Sequence, residues 1–338
     1  MLFEPLSLGT LRLKNRIMMA PMATSFAQND GLPQPEHLIH YASRALGQAG
    51  LIMLESTAVS PAGRSVSDNL GLWNDAQKEG LRRMNDTLHR LGSKTGIQLW
   101  HSGRKKENET MGETVLSASG LPFERRPRQA MNREQIANVV TEFKEAAQRA
   151  KEADFDVIEI HAAHGFLINE FLSPITNRRE DDYGGGRRNR YRLLGEIIDA
   201  VKQVWTGPLF VRISAEEYHP EGNHVEDHVQ YARWMKAQGV NLIDCSSGGV
   251  LPEAPPVYPG YQVPYAERIR LAANMPTAAV GLIETGKQAE EILRNGRADL
   301  IAIGRPLLRN PFWIAEAARD LRAELDAPRV YRTYWKHR

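Results

Sequence analysis

The 338-residue sequence contains one cysteine, Cys245. That excludes an intrachain disulfide and any zinc or iron–sulfur site built from several thiolates. Neither charge is in excess: 43 Lys and Arg stand against 41 Asp and Glu, a formal net charge of +2. Such a balance exerts no electrostatic pull on nucleic acid or anionic lipid, so neither is expected as a partner. No apolar run approaches the roughly 18 residues of a membrane span. The opening stretch MLFEPLSLGTLRLKNR lacks the charged-then-apolar layout of a secretory signal. Hydrophobic residues make up 42% and charged residues 25%, close to the globular average. A cytoplasmic protein with a large core is expected.

What is present is an alternation. Short apolar runs at 17–22, 51–58, 96–101, 156–161, 209–214, 242–246, 277–282 and 300–304 are separated by amphipathic stretches. The clearest of these stretches spans 134–150, where Ile136, Val139, Val140, Phe143, Ala146, Ala147 and Ala150 fall on one face of a 3.6-residue period. Others cover about 35–47, 75–91, 189–204, 225–238, 265–274, 286–295 and 311–325. The runs are continuously apolar (LIMLE, VIEI, LFVRI, LIAI), which suits strands buried on both faces of a parallel sheet. Strand followed by helix in eight repeats predicts an α/β (β/α)8 barrel in a single domain over 1–338. The surplus length lies mainly at 102–132, too long for a simple connection and so expected to form a lid. A doubly wound sheet is the alternative, but Pro21-Met22-Ala23-Thr24 is no glycine-rich fingerprint.

Barrel sites lie at the C-terminal ends of the strands. Those positions hold Ser56-Thr57, Gln98, His101, His161, His164, Arg212, Ser246-Ser247, Gly281 and Gly304-Arg305. Polar groups there cost stability unless they are used or satisfied. Gly281, Gly304 and Arg305 end the last two strands, where barrels often hold phosphate; glycine admits an oxygen to backbone N–H groups and arginine can donate two parallel hydrogen bonds. His161 and His164, three apart, can both donate to one substrate oxygen. A metal would need a third ligand. Arg212, a charge inside a strand, requires either an acid from a neighbouring strand or an anionic ligand. Gln98 can donate and accept together, which suits the edge of a heterocycle. No lysine stands at a strand end, which argues against Schiff-base chemistry. The run Gly184 to Arg190 lacks the Walker spacing and reads as a solvated loop and helix start.

Taken in order, several stretches resemble the old yellow enzyme family of flavin-dependent ene-reductases, most closely its bacterial, thermophilic-like subclass. They are Leu13-Lys14-Asn15-Arg16-Ile17, Ala20-Pro21-Met22, Gly96-Ile97-Gln98-Leu99 with His101, and Gly103-Arg104-Lys105. The series continues with 155–165, Phe171-Leu172-Ser173-Pro174, Asp182-Tyr183-Gly184-Gly185, Asn189-Arg190, Val211-Arg212-Ile213-Ser214 and Ile303-Gly304-Arg305. The resemblance implies FMN at the barrel mouth, with Pro21, Met22, Ala23, Ser56 and Gln98 facing the ring system. It implies Arg212 near the ring nitrogen that gains negative charge on reduction, and Gly281, Gly304 and Arg305 at the phosphate. NADPH or NADH would reduce the flavin, and an electron-poor alkene, quinone or nitro compound would be the small-molecule substrate. A homodimer or homotetramer is implied as well.

The substrate side departs from the family pattern. Phe166 stands where a proton-donating tyrosine is usual, so slow reduction of simple enones is expected. Ala23 replaces a cysteine, Ser25 a tyrosine, and Trp100 a smaller residue. The arginine that reaches a neighbouring subunit two places before a C-terminal tryptophan is Thr333 here, with Arg332 one place off. Two other readings stay open at this point: a flavoenzyme with altered chemistry such as desaturation or a specialised acceptor, and a flavin-free barrel acting on a phosphate-bearing ligand.

Overall fold

The computed structural model describes residues 1–107, 114–325, 327, 328, 331, 333 and 335. Eight parallel strands close into a barrel. They are β1 (Ile17–Met19), β2 (Leu51–Ala58), β3 (Lys94–Trp100), β4 (Val157–Ala162), β5 (Leu209–Ser214), β6 (Leu242–Ser246), β7 (Thr277–Ala279) and β8 (Leu300–Ile303). Each strand pairs with its sequence neighbours, and β8 returns to β1 with Ile301 opposite Ile17. Every apolar run read as a strand is one.

Two strands end early, for local reasons. β1 stops at Met19 rather than 22 because Pro21 has no N–H to give a ladder. β7 stops at Ala279 rather than 282 because Gly281 and Leu282 both have positive φ, 116° and 51°, and leave the extended conformation.

Helices follow the strands: α1 (Pro35–Leu46), α2 (Asp75–Arg90), α3 (Arg133–Glu152), α4 (Leu167–Leu172), α5 (Arg187–Lys202), α6 (Val225–Ala237), α7 (Val263–Ala273), α8 (Gly286–Arg294), α9 (Arg305–Arg309) and α10 (Trp313–Asp320). The start of α3 shows how the sequence sets a boundary. The Asn132 side chain accepts from Gln135 N–H at 2.8 Å, and the Gln135 side chain accepts from Asn132 N–H at 2.9 Å. This reciprocal pair satisfies two N–H groups that have no partner within the helix. Ile136, Val139, Phe143, Ala146, Ala147 and Ala150 are then buried, as their period requires. The glycine-rich run ends where α5 begins, at Arg187.

Two apolar layers result. One joins the outer strand faces to the helices. The other fills the barrel with Met18, Met53, Val157, Phe210, Leu242, Ala278 and Leu300, and is stoppered at its N-terminal end by Leu8, Leu11 and Leu13. Those leucines belong to an antiparallel hairpin, Leu6–Leu8 with Leu11–Leu13. The sequence pattern missed it because three-residue strands are too short to show a period.

The described part of 102–132 carries a 3-10 turn at Gly103–Lys105 and a two-residue parallel pair, Leu116–Ser117 with Gln129–Ala130. Glu170 of α4 holds it down. One carboxylate oxygen accepts Arg104 N–H at 2.6 Å and the other accepts Ala118 N–H at 3.1 Å. Burial pushes this carboxyl up to about 7, against the pull of those N–H groups and of Arg104.

Candidate functional site at the barrel mouth

The inward side chains above the apolar plug are polar and linked. Ser56 Oγ donates to Gln98 Oε1 at 2.7 Å, and Gln98 Nε2 donates to Glu159 Oε1 at 2.8 Å. Ser56 reaches this position through an irregularity in β2: the register with β3 shifts between Leu54 and Ser56, the signature of a bulge that re-aims side chains. Glu159 lies two residues before His161 on β4, with its other oxygen unpartnered.

Arg212 has its acid. Asp244 on the neighbouring strand stands opposite it in register, with 3.3 Å between Nε and Oδ2. The pair is close enough to attract, but no aligned hydrogen bond forms: Arg212 Nε and both Asp244 oxygens lack partners. The guanidinium is thus paired in charge and unspent as a donor. Burial pushes Glu159 up to about 8, helped by the Asp244 carboxylate and opposed by Arg212 and Gln98. Asp244 is pushed up by its own burial and drawn back by Arg212. Asp244 escaped sequence reasoning, although an acid inside Leu242-Ile243-Asp244-Cys245 is as anomalous as Arg212 is in β5.

His161 is the last residue but one of β4 and sits beside Arg212 in register. His164 follows in a left-handed turn, φ 59°. Hydrogen bonding assigns both tautomers. His161 Nδ1 accepts Ala163 N–H at 3.2 Å, so its proton is on Nε2. That N–H faces His164 Nδ1 at 3.3 Å, so His164 carries its proton on Nε2, which donates to Ser246 Oγ at 2.6 Å. Ser214 Oγ fixes the turn by accepting His164 N–H at 2.8 Å while donating to Gly248 C=O at 2.7 Å. Burial holds both imidazoles far below the usual histidine range, reinforced for His161 by His164 and for both by the cations Arg212 and Lys105. The pair is neutral at physiological pH, with an N–H on each ring.

Phe166 packs edge-on against His161 and Trp100, at 5.1 and 5.0 Å between ring centres. Trp100 is buried. On the opposite wall, β1 meets β8: Ala20 N–H donates to Ile303 C=O at 3.0 Å, and a Cβ built on Gly304 would lie 3.3 Å from Met22 Sδ. Gly281 needs its φ of 116°, and a Cβ there would press on Tyr261 at 3.1 Å. Arg305 is exposed and forms no hydrogen bond or ion pair among the described residues. Pro21 is half-buried, while Ala23 and Ser25 lie exposed in the loop after β1. Arg332 lies outside the described residues. Among the described residues no three His, Cys, Asp or Glu side chains cluster as a metal site, and no helix is long and apolar enough to cross a membrane.

These donors fit FMN. Arg212 offers uncommitted N–H groups to an electron-rich ring edge, Ser56 and Gln98 present a donor–acceptor edge, and the Gly281–Gly304–Arg305 wall leaves backbone and a free guanidinium for a phosphate. A closed parallel barrel with such a mouth defines a flavin-binding oxidoreductase class. Comparison with known proteins agrees: residues 1–324 match the NADH:flavin oxidoreductase / NADH oxidase family, and the chain belongs to it. It is 54% identical over 337 residues to the NADPH dehydrogenase of Bacillus licheniformis, covering 99% of this chain and 98% of that one. Among solved structures it is similar to morphinone reductase, with 31% identity, a TM-score of 0.81 and coverage of 97% and 91% of the two chains. It is also similar to the old yellow enzyme homologue of Zymomonas mobilis, with 26% identity, a TM-score of 0.81 and coverage of 100% and 96%. The protein is an NAD(P)H-dependent flavin oxidoreductase that uses FMN. The flavin-free barrel is set aside.

Proposed function

We propose that this enzyme reduces alkenes conjugated to a carbonyl, together with quinones and nitro compounds, and that His161 and His164 grip the activating oxygen. The observation that carries this reading is the pair of neutral, buried imidazoles, three residues apart and 3.3 Å from one another, at the end of one strand. Bound FMN supplies a carrier that accepts hydride from the nicotinamide and releases it to an electron-poor carbon. Pro21, Met22, Ala23, Ser56 and Gln98 line the ring system, Arg212 balances negative charge on it, and Gly281, Gly304 and Arg305 take the phosphate. When the carbonyl binds, each imidazole would turn its single N–H from its resting acceptor, His164 Nδ1 or Ser246 Oγ, to the oxygen on which negative charge grows as the β-carbon is reduced. Trp100 and Phe166 narrow the pocket and keep it dry, and Ser25 stands toward its rim. The described parts of the 102–132 segment, 102–107 and 114–132, act as the lid of a single barrel domain.

Anaerobic stopped-flow spectroscopy tests the reading. NADPH is expected to bleach the flavin band, and 2-cyclohexenone or a quinone to restore it. The relative named an NADPH dehydrogenase supports a preference for NADPH over NADH in the bleaching step. A bleached protein that none of the three acceptor classes reoxidises would contradict the proposal.

A further inference from the structure

Phe166 has no proton to give to the α-carbon, but the structure sets a cation directly over it. Lys105 closes the 3-10 turn after β3. Its stem runs along Gly165, the residue between His164 and Phe166: a Cβ built on Gly165 would lie 3.0 Å from Lys105 Cε. A glycine there, with φ 73°, is what lets the lysine in. Lys105 Nζ then stands 5.5 Å from the centre of the Phe166 ring and 5.8 Å from that of Phe123. The same Phe166 ring touches His161 at 5.1 Å, so one aromatic side chain separates the ammonium from the imidazole.

Among the described residues the ammonium has no hydrogen bond and no ion pair, while its neighbours are committed. Glu170 accepts from two backbone N–H groups, and Arg104 donates to Val250 C=O. The side chain is half-buried. The lysine is held over two aromatic rings with all three N–H bonds unspent, beside the ring that packs on His161.

We propose that Lys105 is the general acid that protonates the α-carbon when a conjugated carbonyl compound is reduced. The proposal rests on the reading of His161 and His164 as the carbonyl grip. Hydride adds to the β-carbon and the double-bond electrons move toward the oxygen held by the imidazoles. They then return to form the α-carbon–hydrogen bond as an N–H bond of Lys105 Nζ breaks. The neutral amine recovers its proton from water, so the net addition is hydride from the nicotinamide and a proton from solvent. Burial, aided by Arg104, lowers the ammonium to about 8 against the carboxylates Glu124, Glu170 and Glu107. Those groups and the imidazoles His161 and His164 are the titratable and charged groups facing it. An acid in that range is well matched to neutral solution. On this proposal, the slow enone turnover expected from Phe166 would not follow.

The test reoxidises the reduced holoenzyme in single turnovers with 2-cyclohexenone, which needs carbon protonation, and with a quinone, which does not. In wild type the enone-to-quinone rate ratio is expected to fall above about pH 8. Lys105→Met should lower that ratio about 100-fold, within the usual range for general-acid help, and remove its pH dependence. Adding Phe166→Tyr to Lys105→Met should recover at least tenfold of the loss, roughly half of it on a logarithmic scale. Independently of turnover, protein labelled with 13C at lysine Cε should show one resonance titrating near pH 8 that is missing in Lys105→Met. An unchanged ratio in Lys105→Met, or no lysine titrating in that range, overturns the role of Lys105 and leaves the carbonyl grip standing. A wild type whose reduced flavin passes electrons to quinone but to no enone overturns both.

Discussion

Replacing His161 or His164 by alanine is expected to weaken the binding of a phenol such as 4-hydroxybenzaldehyde by about 10- to 150-fold. The figure follows from one lost hydrogen bond to a charged oxygen, worth about 1.5–3 kcal/mol. Both rings are held neutral by burial and by the surrounding cations, so each has one N–H to exchange from its resting partner to the phenol oxygen, and neither is itself a charge that must be neutralised. The two positions differ in what they leave behind. His164→Ala strands Ser246, whose hydroxyl loses its 2.6 Å partner and keeps only Gln262 at 3.4 Å. His161→Ala removes the ring on which Phe166 rests. FMN should remain bound in both variants, because neither ring belongs to the wall formed by Gly281, Gly304 and Arg305. Phenol titrations followed by the long-wavelength absorbance of the flavin measure the effect; unchanged affinity in both variants would reduce the pair to packing.

The second large effect concerns a residue that touches no substrate. Glu55 is buried at the β2 irregularity and holds the loop after β1. Its carboxylate accepts Thr24 Oγ1–H at 2.6 Å, Thr24 N–H at 2.9 Å and Tyr41 O–H at 3.1 Å. His37 Nε2 lies 3.5 Å away, an ion-pair distance without hydrogen-bond alignment. Thr24 sits between Ala23 and Ser25, so this carboxylate fixes the segment proposed to face the flavin. Glu55→Ala is expected to cost about 3–5 kcal/mol of unfolding free energy, the usual penalty for removing one partner of a buried charged network. Burial alone would raise the carboxyl, but the nearby His37 and the Thr24 donors outweigh it and leave it below its ordinary 4.5. The stabilisation is therefore complete above the ordinary carboxylate range and is lost as pH falls through the lower folded value. Denaturant unfolding of wild type and Glu55→Ala should show a gap that is wide at pH 7 and narrows below 4.5. A gap that does not change with pH would mean that the ionised carboxylate contributes nothing.

The sequence displays what is local and hides what is assembled across strands. Continuous apolar runs identify all eight strands because burial on both faces leaves no polar alternation. The His161–His164 spacing and the glycines at 281 and 304 are likewise visible in one dimension. Asp244 became evident only when β6 was laid beside β5, and the tautomer relay from Ala163 through both imidazoles to Ser246 draws on two distant strands. Lys105 appeared in the sequence as one residue of a familiar tripeptide. Its place over Phe166 depends on Gly165 allowing the close approach, a fact of three-dimensional packing. Ala23 and Ser25 needed the Glu55 anchor to be placed at all.

The central claim is that this mouth holds one FMN by contacts alone. Gly281, Gly304 and Arg305 are proposed as one phosphate-binding wall, and no dinucleotide fingerprint follows β1. Heat or acid denaturation of the purified protein, followed by chromatography of the supernatant, measures this directly. The account predicts FMN in the supernatant at one equivalent per chain, with a colourless precipitate. FAD in the supernatant, yellow colour that stays with the precipitate, or protein that carries no flavin and takes up none when FMN is added would contradict it.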